Sequence, residues 1–275
     1  MIVMTKYTKL PILLIIFFAL IVFTACTNNN DGKVTEFNSD DSLVENITDS
    51  SDSPESIDET EDLQTVEPLY GFVIVLDPGH GTYSENYKEP VSPGSTEMKI
   101  AFSTGTSGAY ISEAEFNLIV AKKLSAVLVE NGAEIHLTRS DEYSISNVER
   151  AKYANDLNAD LAVRIHADGS SDVSLSGISV LVPALGTIGQ ELENKSRAAA
   201  EYVLDELISA TGAGNRGIIE RSDMTGFNWS TVPVILVECG FMSNPNEDAL
   251  LANEAYQDRI VHGIAEGIIE YFQNQ

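Results

Sequence analysis

Two of the chain's four histidines, His80 and His166, occupy the same kind of place. Each follows a mostly apolar run, Phe72–Leu76, rich in β-branched residues, in one case and Leu161–Ile165 in the other. A glutamate, Glu238, follows a third such run, Val232–Val237, and a second glutamate, Glu113, opens a helix. Ser112 and Glu115 spell S-x-x-E, the pattern of a capping box. Phe116, Val120, Leu124 and Val127 follow Glu113 at helical spacing. Glu113 therefore projects from the apolar face, while Glu115 is turned roughly 200° away and is engaged in the cap. Two imidazoles and a carboxylate form a donor set suited to zinc, and a fourth position left open to water marks a catalytic site. Zinc lowers the pKa of its water toward about 7, and a further carboxylate can pass a proton to a leaving amine. The spacing assigns His80, Glu113 and His166 to the metal and Glu238 to acid and base. The competing reading of Glu238 is a buried ion pair with an arginine such as Arg216. His136, within a strand, and His262, within the last helix, read as structural.

These residues need elements that bring distant segments together. Phe72–Leu76, bounded by Asp77-Pro78-Gly79, reads as a parallel strand covered on both faces. Further strands are expected at Glu134–Thr138, Leu161–Ile165, Ile178–Val182 and Val232–Val237. Helices are expected from Ser112, over about 147–155, from Gln190 to about Ala210, and over roughly 254–272. Strands alternating with helices predict an α/β domain over 69–275, with a largely parallel central sheet flanked by helices on both faces. Ligands bind at the carboxyl ends of strands in such sheets, where His80, His166 and Glu238 are expected. Residues 82–111 show no periodicity and read as a long loop at the site's edge, of a length that suits a lid or a substrate-binding role.

The first 68 residues differ in kind. Residues 1–25 carry Lys6 and Lys9 and then an apolar run that is short for a membrane span, the form of an export signal. Phe23-Thr24-Ala25-Cys26 resembles a bacterial lipobox, with Cys26 as the lipidated N-terminus; a plain signal peptide is the alternative. Cys239 is then left without a partner, so the domain must be stable without disulfides. Residues 26–68 are polar and acidic and carry about half of the net charge of −26, which predicts a disordered tether. As a flexible coil it would span roughly 35 Å, reaching from a membrane into a cell wall. Strong acidity argues against nucleic acid as a partner.

Several stretches together resemble one family. Val75-Leu-Asp-Pro-Gly-His-Gly81, Glu113-x-x-x-Asn117-Leu118, Thr138-Arg139, Glu149-Arg150, Ile165-His166-Ala167 and Pro233 through Glu238-Cys-Gly-Phe-Met-Ser-Asn244 look like the zinc-dependent N-acetylmuramoyl-L-alanine amidases of type 3. The resemblance runs in order across 69–275. It implies Zn2+ at His80, Glu113 and His166, with Glu238 catalytic, and hydrolysis of the amide joining N-acetylmuramic acid to the L-alanine of the peptidoglycan stem. It departs from the family at Arg164, where Ser is usual, and at Asp168, where Asn is common. Trp229 and Asn228 are candidates for contact with a sugar or stem peptide, with a core role for Trp229 as the equal alternative. Arg216 could meet a substrate carboxylate or form a structural ion pair. Two other functions remain open, a zinc peptidase of the stem and a lipoprotein that binds wall fragments without cutting them. The expected location is extracytoplasmic, held at the membrane by a lipid and facing the wall, with room for a regulatory protein of unknown identity.

Overall fold

The computed structural model describes residues 67–275. The expected export signal, Cys26 and nearly all of the expected acidic tether lie outside the described residues. Among the described residues no helix is long and apolar enough to cross a membrane.

A six-stranded sheet runs in the order β4-β1-β5-β8-β6-β7. Its strands are β1 (Val73–Pro78), β4 (Glu134–Leu137), β5 (Leu161–Asp168), β6 (Ile178–Pro183), β7 (Asn215–Arg221) and β8 (Val234–Phe241). The first four in spatial order are mutually parallel. β6 pairs antiparallel with β8, and β7 parallel with β6. The sheet is thus mostly parallel, as the apolar runs required, with one reversed pair at an edge.

Helices cover both faces, and strand alternation decides which residues meet them. On one face Ile74, Leu76, Val163, Ile165, Ile235 and Val237 pack with α1 (Glu113–Glu130), α3 (Gln190–Thr211) and α6 (Glu254–Gln273). Full burial of a side chain such as Phe116 or Leu207 there contributes about 1.5–3 kcal/mol. On the other face Val75, Ala162, Leu181, Val234 and Leu236 form a smaller cluster with Ala154 of α2 (Asn147–Asp156) and Phe227 of α4 (Thr225–Asn228). The short α5 (Pro245–Leu251) starts with Asn244, whose side chain accepts from Asn246 and Glu247, and with Pro245 at the first helical position.

Several expectations need correction. Residues 82–111 are not a featureless loop, because β2 (Glu85–Pro90) and β3 (Met98–Phe102) form an antiparallel hairpin within them. Its strands are mostly exposed and polar, so no apolar alternation announces them. At Ser112 the hydroxyl accepts from the Glu115 N–H, but Glu115 is exposed and the reciprocal bond of a capping box is absent. The complete box belongs to α2, between Ser146 and Glu149. β7, α4 and α5 were not expected at all; they are short or half-exposed, and local pattern is weak there.

Candidate metal centre

His166 and Glu238 lie inside β5 and β8 rather than beyond their ends, and they are register partners on adjacent strands. Alternation along β8 puts Glu238 on the same side as Val234 and Leu236, the face that α2 and α4 cover. His166 shares that side of β5 with Ala162 and Arg164. The two side chains therefore stand over the same face of the sheet.

Glu113 is the first residue of α1 and is 5% exposed. Its Oε1 lies 3.0 Å from His80 Nε2 and 2.9 Å from His166 Nδ1. Its Oε2 accepts from the Thr106 N–H at 2.8 Å. His80 Nδ1 donates to the Ser103 carbonyl at 3.1 Å, which fixes the ring and assigns that nitrogen the proton. Its Nε2 is the nitrogen that faces the Glu113 carboxylate. A contact of that length between a ring nitrogen and a carboxylate oxygen needs a proton or a cation between them.

Charge in the pocket follows from these contacts. Burial disfavours ionisation of Glu113, but the contacts from His166 and His80 outweigh it and hold the carboxyl well below its usual range. Burial pushes His166 down to about 4 against the pull of Glu113, so its ring is neutral at neutral pH and free to act as a donor. Donor atoms of His80, Glu113 and His166 lie within 4.8 Å of one another. Two imidazole nitrogens, a carboxylate oxygen and an outer hydrogen bond from the far side of His80 are the set that zinc takes. The residues fit that ion.

Glu238 stands beside this set, partly open to solvent. Its Oε2 is buried and has no hydrogen-bond partner. Burial first, and then the charges of Glu113 and Asp168, push its carboxyl well above the usual value, with Arg164 and Arg221 opposing. Among the described residues no ion pair joins it to Arg216, whose guanidinium instead lies over the Phe241 ring, 4.9 Å from its centroid. A half-buried carboxylate with one idle, buried oxygen beside a metal-type donor set can accept and return a proton.

Tight backbone approach shapes the pocket. At Gly79 an added Cβ would lie 2.2 Å from Cε1 of His166. At Gly105, where φ is +74°, it would lie 2.3 Å from Glu113 Oε2. Gly79→Ala is therefore expected to displace the His166 ring and weaken binding of a metal at this donor set while leaving the secondary structure intact. A zinc titration beside a circular dichroism spectrum checks this, and an unchanged affinity would refute it.

Beneath the pocket, Asp77 accepts from Arg150 Nη1 at 2.6 Å, Arg164 Nε at 2.8 Å and Thr138 Oγ1 at 2.6 Å. Arg164 also donates to Asn147 Oδ1 at 2.9 Å. The departure at Arg164 is thereby explained as half of a buried ion pair. Asp168, the other departure, lies beside Glu238 and keeps Oδ1 on the Gly169 N–H at 2.7 Å.

Trp229 and Asn228 stand apart from the donor set. The Trp229 indole N–H donates to Pro90 O at 2.9 Å, and the ring lines a cavity of about 540 Å³ with Tyr87, Phe102 and Lys152. Asn228 donates to Ser222 O. None of His80, Glu113, His166 and Glu238 lines that cavity. Sequence reasoning missed Ser103 and Thr106, which hold His80 and Glu113; they act through backbone atoms, which leave no mark on residue type.

The family model described as N-acetylmuramoyl-L-alanine amidase matches residues 74–270. The N-acetylmuramoyl-L-alanine amidase AmiA of Escherichia coli is 28% identical, over 73% of this chain and 76% of its own length. The uncharacterized protein YqiI of Bacillus subtilis is 29% identical, over 76% of this chain and 89% of its own. The N-acetylmuramyl-L-alanine amidase Ami1 of Mycobacterium smegmatis has a crystal structure similar to this fold at a TM-score of 0.69 and 27% identity, covering 75% of this chain and 99% of that one. The catalytic domain of CwlV, an N-acetylmuramoyl-L-alanine amidase from Bacillus (Paenibacillus) polymyxa, gives 0.59 at 30% identity, over 74% and 99%. With the match spanning nearly the whole described domain and these amidases sharing its fold, the chain belongs to the N-acetylmuramoyl-L-alanine amidase family of hydrolases.

Proposed function

We propose that the protein hydrolyses the amide between N-acetylmuramic acid and L-alanine in peptidoglycan, with zinc held by His80, Glu113 and His166 and with Glu238 as the proton carrier. The observation that carries this reading is an idle, buried Glu238 oxygen beside three converging donors, in a chain of this family. Zinc bound there would supply Lewis acidity and a water of lowered pKa. Glu238 accepts a proton from the attacking water as hydroxide adds to the lactyl carbonyl carbon. It then returns that proton to the alanine nitrogen, and the C–N bond breaks. His80 and His166 keep their orientation through Ser103 and the packing of Gly79, so the donors need little rearrangement.

Digestion of purified peptidoglycan by the zinc-loaded protein, followed by mass spectrometry, tests the reading. Free stem peptides beginning with L-alanine, together with glycan strands stripped of peptide, are the expected products. Cuts within the stem would make the protein a zinc peptidase, and wall binding without products would make it a binding lipoprotein.

We also infer that the protein is exported and held at the membrane through lipidated Cys26, with residues 26–68 as a tether that lets the catalytic domain reach the wall. The sequence Phe23-Thr24-Ala25-Cys26 supports this. In cells fed a labelled fatty acid, the chain should become labelled and Cys26→Ser should not; equal labelling of the two would remove the anchor.

A further inference from the structure

Three consecutive carbonyls at the end of β1 are held by two buried arginines. Arg139 Nε donates to Pro78 O at 2.8 Å and its Nη2 to Gly79 O at 2.9 Å. Arg150 Nη1 donates to Pro78 O at 2.8 Å and its Nη2 to His80 O at 2.6 Å. Asn117 Nδ2 adds a bond to Gly79 O at 3.2 Å. The turn so gripped places His80 at φ 61°, the left-handed region that a non-glycine residue adopts only when its surroundings impose it. The Arg139 side chain is 4% exposed as a residue, so these bonds are made away from water and compete little with it.

Arg139 does one thing that Arg150 does not. Its Nη2 also donates to Ala114 O at 2.7 Å, the carbonyl next after Glu113. A single guanidinium nitrogen therefore braces the backbone just before His80 against the backbone just after Glu113. Those two side chains meet 3.0 Å apart. Arg139 itself donates nothing to the three metal-type ligands.

We propose that Arg139 is a positioning residue for the metal: by bridging Gly79 O and Ala114 O it sets the separation of His80 and Glu113, so the donors are assembled before the ion arrives. This rests on the reading of His80, Glu113 and His166 as metal ligands. Lysine cannot substitute, because an ammonium is a point charge, whereas the planar fork reaches Pro78 O, Gly79 O, Ala114 O and Asp141 O together. A merely structural role predicts something different, namely a less stable protein whose folded fraction binds metal as before.

The test uses the full chain, stripped of metal, as parent, Arg139→Lys and Arg139→Ala. Each is titrated with zinc against a chromophoric chelator and with cobalt(II), whose visible absorption reports ligand geometry, while thermal unfolding of the metal-free forms gives the folded fraction. Arg139→Lys is expected to bind zinc about 10- to 100-fold more weakly, with an altered cobalt spectrum, while still folded. Arg139→Ala is expected to regain affinity when guanidinium is added at millimolar concentration. The side chain borders a cavity of about 390 Å³, lined also by Ser112, Ala114 and Glu142, that gives the small cation a route in. Parental affinity and spectrum in Arg139→Lys would overturn the proposal. So would a loss that follows the unfolded fraction alone and resists guanidinium. If the parent chain binds neither ion, the metal reading itself falls, and that failure is distinguishable from a failure confined to the variants.

Discussion

Glu238→Gln is expected to lower amidase turnover by about 10²- to 10⁴-fold, the range that a positioned general acid–base supplies. Gln keeps the shape and length of Glu238 but cannot take the proton of the attacking water, and its idle Oε2 position would be filled by a group that no longer ionises. Zinc content should stay at the parental level, since Glu238 is not among the converging donors. His166→Ala provides the contrast, losing zinc and activity together. The parent's kcat/KM should fall as pH drops through the pKa of Glu238, because the ionised form is the base. Burial and the neighbouring charges of Glu113 and Asp168 raise that pKa, so the acid limb is expected above the ordinary glutamate value of about 4.3. Released stem peptides measured across pH, beside metal analysis, check both parts. Activity in Glu238→Gln within a few-fold of the parent would remove Glu238 from the mechanism.

Asp77→Asn is expected to destabilise the domain by about 3–5 kcal/mol, because it leaves the Arg150 and Arg164 guanidiniums buried without their shared counter-charge. Asp77 is 3% exposed, so solvent does little to screen the loss. For a domain of this size the midpoint of thermal unfolding should drop by roughly 2–4 °C per kcal/mol. The effect has a definite pH dependence. Burial opposes the Asp77 charge, but Arg150, Arg164 and Thr138 prevail and hold its folded pKa below the ordinary value of about 3.9. A depressed folded pKa contributes stability that is complete above the unfolded value and is lost as pH falls below about 4 toward the folded one. The gap between parent and Asp77→Asn should therefore be widest near neutrality and narrow in acid. Denaturant unfolding at both ends of that range decides it; a gap that is small, or equal at the two ends, would show that the ion pairs contribute little. Because Arg150 also grips Pro78 O and His80 O, the same variant should loosen the turn that carries His80.

What the sequence determined was the part written in residue type and period. Mostly apolar runs predicted β1, β5 and β8, with burial on both faces read for β1, and the 3.6-residue period predicted α1. The same logic singled out His80, Glu113, His166 and Glu238, since polar groups delivered to the ends of such elements need a partner or a task. The hairpin β2–β3 and strand β7 were not legible, because half-exposed strands carry little apolar alternation and are held by partners distant in sequence. Strand alternation against the helices put Glu238 over the face that α2 and α4 cover, and the reversal of β6 beside β8 appeared only on assembly. The outer contacts to Ser103, Thr106 and Arg139 likewise belong to the tertiary structure alone. A backbone carbonyl or N–H is the same group on every residue, so what it binds is decided by where the fold places it.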